Sequence, residues 1–144
     1  MATKAPSYKI EATPNYTGRY TYTGPRGRKV SFGFVTYEIS RTCSARELGS
    51  LWLNDDATDT ERRRVAKFIR EYLKSDIDST GNYISYQHSA WNIRLLKDIG
   101  FKVFCTYMGN EDELVHGLTY CTRSDDWEKE YNDDDYREDD EYQW

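Results

Sequence analysis

The sequence predicts one α/β (α+β) domain over residues 1–123, followed by an acidic, aromatic-containing tail over 124–144. Three observations predict it. From Tyr8 to Asn54 the chain is rich in Tyr, Thr, Val and Phe and is punctuated by turn residues, which is the composition of strands. Two later stretches, near 58–74 and 89–99, repeat their apolar residues at helical spacing. The net charge of −5 is also divided unevenly. Ser124 to Trp144 hold eleven acids against Lys129 and Arg137, a net −9, which leaves the body at +4. At 144 residues one domain is expected, long enough to bury roughly two-thirds of its extended surface.

Each element is marked locally. The first hairpin runs through Arg19-Tyr20-Thr21-Tyr22-Thr23, turns at Gly24-Pro25-Arg26-Gly27 and returns over 29–39. Val30, Phe32 and Phe34 alternate there, but the alternation slips around Thr36, which predicts a bulge or bend at that point. Residues 47–53 read as a further strand with an apolar end. Thr58-Asp59-Thr60-Glu61 then fits a capping box, in which the threonine oxygen accepts the third-position amide and the glutamate reaches back. Val65, Phe68, Ile69, Tyr72 and Leu73 continue at helical spacing through Lys74. Residues 75–81 form a loop and 83–86 a short strand. A second helix begins near His88 or Ser89, turns Trp91, Leu95, Leu96 and Ile99 inward, and closes at Gly100, free to take positive φ. Residues 101–107 and 117–122 are strands joined by the polar segment 108–116, which places His116 in a loop. No internal repeat is present.

Several function classes are excluded early. No apolar run approaches the roughly 20 residues of a spanning helix, and the opening residues lack the apolar stretch of a secretory signal. Cys43, Cys105 and Cys121 are odd in number, widely spaced and without a CxxC pair. That argues against a disulfide framework or zinc site and for a reducing cytoplasm. With His88 and His116 the only histidines, no metal is expected. GxSxG, HExxH, a Walker loop and a Rossmann glycine pattern are all absent.

Arg62, Arg63 and Arg64 stand in the first turn of the first helix, where positive charge opposes the macrodipole. Phosphate binding would explain the placement, because guanidinium forks bind phosphate oxygens bidentately. Docking of the acidic tail or of a partner, or a plain solvated face, would explain it equally.

The order hairpin, strand, helix, strand, helix ending in Gly-Phe, strand, strand resembles the GNAT N-acetyltransferase superfamily over roughly residues 19–107. The passages that carry the resemblance are residues 47–53 leading into the helix from about Glu61, and residues 89–103, in which Leu95-Leu96 precede Gly100-Phe101. The resemblance implies a GNAT-like mixed, mostly antiparallel sheet flanked by two main helices, with the helices before the hairpin missing. It implies acetyl-CoA as cofactor, with contacts from Leu51, Leu53, Arg62, Arg63, Arg64, Val65, Ala66 and Ser89. The family's glycine loop falls on residues 61–66, where only Ala66 matches and Arg64 stands at the first glycine. Glycines there let backbone amides approach a pyrophosphate.

Acyl transfer needs a base for the acceptor amine and an acid for the departing thiolate. The resemblance implies Glu47 as the base, at a place where some members carry a glutamate; its alternative is an ordinary strand-edge carboxylate. The family's tyrosine acid falls on Leu96 and its helix-opening asparagine on Ser89, which leaves Tyr86 or Tyr107 as substitute acids.

Two further readings stand beside an acyltransferase. One is a non-catalytic GNAT-like protein. Small size, abundant tyrosine and an acidic tail are similar to bacteriophage proteins that engage a bacterial host protein, which would place it in the host cytoplasm. The other is a single-stranded nucleic-acid binder or DNA mimic. Tyr16, Arg19, Tyr20, Tyr22, Arg26, Arg28 and Lys29 interleave rings with cations, and the tail ends on Trp144. A body charge of +4 is small for such a binder.

Overall fold

The computed structural model describes residues 7–39, 45–76 and 80–123; Cys43 and the acidic tail lie outside them. The elements run β1 (Lys9–Ala12), β2 (Arg19–Thr23), β3 (Lys29–Glu38), β4 (Arg46–Leu53), α1 (Asp59–Ser75), β5 (Asn82–Gln87), α2 (Ala90–Ile99), β6 (Lys102–Met108) and β7 (Leu114–Cys121). The strands make one sheet in the order β1-β2-β3-β4-β5-β7-β6. Every neighbouring pair is antiparallel except β4 with β5. Hairpins join the antiparallel neighbours β1–β2, β2–β3 and β6–β7, whereas the parallel pair needs the crossover that α1 provides. The sheet is the mixed, mostly antiparallel one that the resemblance implies.

Both helices start where their caps dictate. Thr58 Oγ1 accepts the Glu61 amide at 3.1 Å, and Glu61 Oε1 accepts the Thr58 amide at 2.9 Å. Ser89 Oγ accepts the Asn92 amide at 3.3 Å and opens α2. Gly100, at φ 132°, closes α2 by donating its amide to the Leu96 carbonyl at 3.1 Å. A side chain at that φ would be strained.

The helices share one face of the sheet and touch each other there. On α1, Phe68 meets Tyr20 and Phe32 edge-on at 5.2 and 5.8 Å, and Tyr72 meets Phe34 at 5.0 Å. Leu95, Leu96 and Ile99 of α2 are buried with Tyr83, Phe101, Leu118 and Tyr120. Each fully buried side chain of this size is worth roughly 1.5–3 kcal/mol of transfer free energy.

Among the described residues no helix covers the opposite face. Strand parity puts Tyr37, Glu47, Gly49, Ile84, Tyr86 and Tyr107 there, in register across β3, β4, β5, β7 and β6. Tyr37, Tyr86 and Tyr107 are 42–47% exposed, and Tyr86 and Tyr107 meet edge-on at 6.3 Å.

Three expectations are corrected. The irregularity anticipated at Thr36 lies on the partner strand. Thr36 stays in register with Leu48, while Gly33 pairs with Trp52 and Val35 with Gly49, so two steps on β3 oppose three on β4. The extra residue is at Ser50, whose φ is +50°. His116 is within β7, opposite Gln87 and Thr106, because β7 begins at Leu114 and only residues 109–113 turn. The ring-and-cation interleaving of the first hairpin does not make one surface. Tyr20 and Tyr22 face the core, and Arg28 is bound to Glu61.

Candidate functional site

Strands β4 and β5 run together for two residue pairs only, Arg46–Tyr83 and Glu47–Ile84. Beyond them the Ser50 bulge bends β4, and the two strands part. A parting of parallel strands removes ladder partners from the backbone on both sides, and buried backbone groups must find others. Here side chains supply them. Ser85 Oγ donates to the Leu48 carbonyl at 2.7 Å, and Gln87 Nε2 donates to Ser85 Oγ at 3.2 Å. Asn92 Nδ2 donates to the Leu51 carbonyl and to Gln87 Oε1, both at 3.1 Å. Trp91 Nε1 donates to the Leu53 carbonyl at 3.1 Å. The cleft between the strands is thus stitched by β5 and the first turn of α2.

Glu47 sits at the apex, the last β4 residue in register with β5. Tyr37 Oη donates to Glu47 Oε2 at 2.5 Å. The Tyr37 ring lies across Gly49, where an added Cβ would stand 2.8 Å from the ring, so the absence of a side chain lets the phenol reach the carboxylate. That hydrogen bond, with some desolvation and the Glu47 charge, raises the Tyr37 phenol above its ordinary pKa.

The start of α1 borders the cleft, and its electrostatics differ from the arginine-led expectation. Arg62 is buried. Its Nε bonds Asp98 Oδ2 at 2.6 Å, its Nη1 bonds Asp59 Oδ1 at 2.5 Å, and its guanidinium lies 5.7 Å from the Trp91 ring centre. Burial works against its charge, but the bonds to Asp98 and Asp59 outweigh it and hold its pKa above the ordinary value. For Asp98 burial is the stronger effect and pushes the carboxyl up against the pull of Arg62. Asp59 is shifted down by its bond to Arg62. Arg64 donates to Tyr22 Oη at 2.9 Å and stacks on Tyr8 at 4.6 Å. Glu61 is buried at the helix start and bonded by Arg28 Nε at 2.9 Å, which raises the Arg28 pKa.

The residues singled out from sequence therefore separate. Glu47, Leu51, Leu53 and Ser89 gather around the parting of β4 and β5. Val65 and Ala66 are fully buried core residues, two turns into α1. Because α1 begins at Asp59, the amides of Arg64, Val65 and Ala66 belong to the helical ladder rather than to a loop. The amides at the open end of the helix are those of Asp59 and Thr60. Leu96 is fully buried, and Tyr86 and Tyr107 stand on the face that carries Glu47. Sequence reasoning missed Asn92. Its signal was an amide in the first turn of a helix, three residues after the cap, on the side facing apolar strand ends. Among the described residues no group of His, Cys, Asp and Glu is placed to hold a metal, and no helix is long and apolar enough to cross a membrane.

No protein-family model matches the chain, and no curated relative matches it. Solved structures do. The N-terminal domain of a ribosomal-protein-alanine acetyltransferase from Clostridium acetobutylicum gives a TM-score of 0.51 at 11% identity, over 82% of this chain and 93% of that one. The aminoglycoside acetyltransferase AAC(6')-Ib, in complex with coenzyme A and kanamycin, gives 0.52 at 11% identity, over 77% and 70%. Ribosomal-protein-S5-alanine acetyltransferase from Vibrio fischeri gives 0.50 at 11% identity, and the chain spans 62% of its length. At such identities the likeness is one of fold, and the fold of this chain is that of the GNAT N-acetyltransferases.

Proposed function

We propose that the chain is a coenzyme A-dependent N-acyltransferase that moves an acetyl group from acetyl-CoA to an amine. The observation that carries it is the parting of β4 from β5 beside the start of α1, with the Glu47 carboxylate at its apex. Strand carbonyls along such a cleft can bond an extended, amide-bearing arm as an added strand would. The helix start at Asp59 and Thr60 offers amides and a positive dipole end to phosphates. A neighbour of the same fold was solved with coenzyme A, which supports this choice of ligand.

Glu47 takes the proton of the attacking amine as the C–N bond forms and the thioester C–S bond breaks, with Tyr37 fixing one of its oxygens. The departing thiolate takes a proton from the phenol of Tyr86 or Tyr107 on the same face. The test is thiol release from acetyl-CoA in the presence of aminoglycoside and peptide amines. Glu47→Gln is expected to lower the rate about 100-fold with the fold intact. No thiol release with any amine would overturn the proposal.

A second reading has its own observation. The cleft carbonyls are already bonded, the α1 start carries Asp59 and Glu61, and leucine stands at 96. These favour a non-catalytic GNAT-fold protein that docks on another protein, with the acidic segment 124–144 as a charged appendage. Such a protein would return a stoichiometric partner from bacterial lysate and leave acetyl-CoA unbound.

A further inference from the structure

We infer that Asn92, together with Trp91, is the group a ligand must displace to occupy the cleft between β4 and β5, so that these two side chains set the affinity of the site. The inference rests on the acyltransferase reading and deepens it. Both side chains come from the first turn of α2, and each donates to a β4 carbonyl that β5 no longer reaches: Asn92 to Leu51 and Trp91 to Leu53. Asn92 Nδ2 also donates to Gln87 Oε1, so the Asn92 amide spans the gap from β4 to β5. An arm lying along β4 must take over these carbonyls with donors of its own. The pantetheine arm of coenzyme A offers two amide N–H groups, as many as the carbonyls that Asn92 and Trp91 hold. Exchange of equivalent hydrogen bonds is close to neutral, whereas carbonyls left unbonded after the arm departs are costly. The side chains therefore serve as stand-ins that satisfy β4 while the cleft is empty and yield when it fills. Asn92 is half-buried and carries no apolar packing load, unlike the leucines beside it.

Calorimetric titration of coenzyme A, and separately of pantetheine, into the full chain and into Asn92→Ala tests this. The variant is expected to bind both about tenfold more tightly, because no side-chain donor then competes for the Leu51 carbonyl, while Trp91 still holds that of Leu53. Should Asn92→Ala fail to fold, the wild-type protein gives a second readout. The Asn92 side-chain amide and Trp91 indole N–H signals are expected to shift when either probe is added. Equal affinity for both proteins, or binding that leaves those two signals unmoved, overturns the displacement while leaving the acyltransferase reading intact. No binding of coenzyme A to either protein overturns both.

Discussion

Strand β4 has two edges that are held in different ways. Toward β3 it keeps register from Glu38–Arg46 to Phe32–Leu53, interrupted only by the Ser50 bulge. Toward β5 it keeps register for two pairs and then relies on Ser85, Asn92 and Trp91. A backbone ladder forms from groups the chain must order in any case. A stitched edge adds the ordering of each side chain, of order 1 kcal/mol apiece, and gains nothing that a suitable ligand would not also supply. The ladder edge needs no side chain to hold it, whereas the stitched edge does, and it is on this difference that the proposed site rests.

Four substitutions or conditions break or sharpen that contrast. The largest effect is expected from Arg62→Ala, which leaves the largely buried Asp98 without its cation behind the stitched edge. A loss of about 3–5 kcal/mol in urea unfolding is expected, with much of it recovered in Arg62→Met with Asp98→Leu. Ser85→Ala removes one stitch and leaves the buried Leu48 carbonyl without that donor; about 1–2 kcal/mol is expected by the same measurement. Ser50→Gly relieves the positive φ of the bulge and is expected to stabilise by about 0.5–1 kcal/mol.

The smallest effect concerns pH. The folded-state pKa of Asp59 is lowered by Arg62, so the unfolded chain binds more protons between the two values. Stability from this contact is complete above the unfolded carboxylate pKa, about 4, and is lost as pH falls through the lower folded value. Asp98 has the opposite sign, and its burial favours the protonated form. The slope of stability between pH 5 and 3 should therefore steepen in Asp98→Asn and flatten in Asp59→Asn.

Much of the ladder side was legible in the sequence, because hairpins, capping boxes and Gly-Phe helix ends are local devices. Thr58-Asp59-Thr60-Glu61 fixed the start of α1 from four residues, and Gly100 fixed the end of α2. The bulge was half legible. Broken alternation around Thr36 signals that one residue too many must be absorbed, but one strand's pattern cannot say which partner absorbs it. His116 was misplaced because the polar residues of 109–113 continue into a strand whose Thr and His side chains look like loop.

The candidate site was the least legible part. Three consecutive arginines look like a single cationic cluster, yet a helix turns successive residues about 100° apart. Arg62 is thereby aimed at Asp98, 36 residues away, and Arg64 at Tyr22, 42 residues away. Asn92 gains its meaning only where β4 leaves β5, a geometry set by the Ser50 bulge within β4, some forty residues earlier in the chain.

The most direct test is hydrogen–deuterium exchange of the intact protein with and without acetyl-CoA. The stitched edge as the ligand seam predicts protection gained over residues 48–53, the α1 start at 59–62 and the α2 start at 89–92, with the β2–β3 ladder unchanged. Protection gained at the β1–β2 edge or across the bare face of β6 and β7, with none at those three segments, would contradict it.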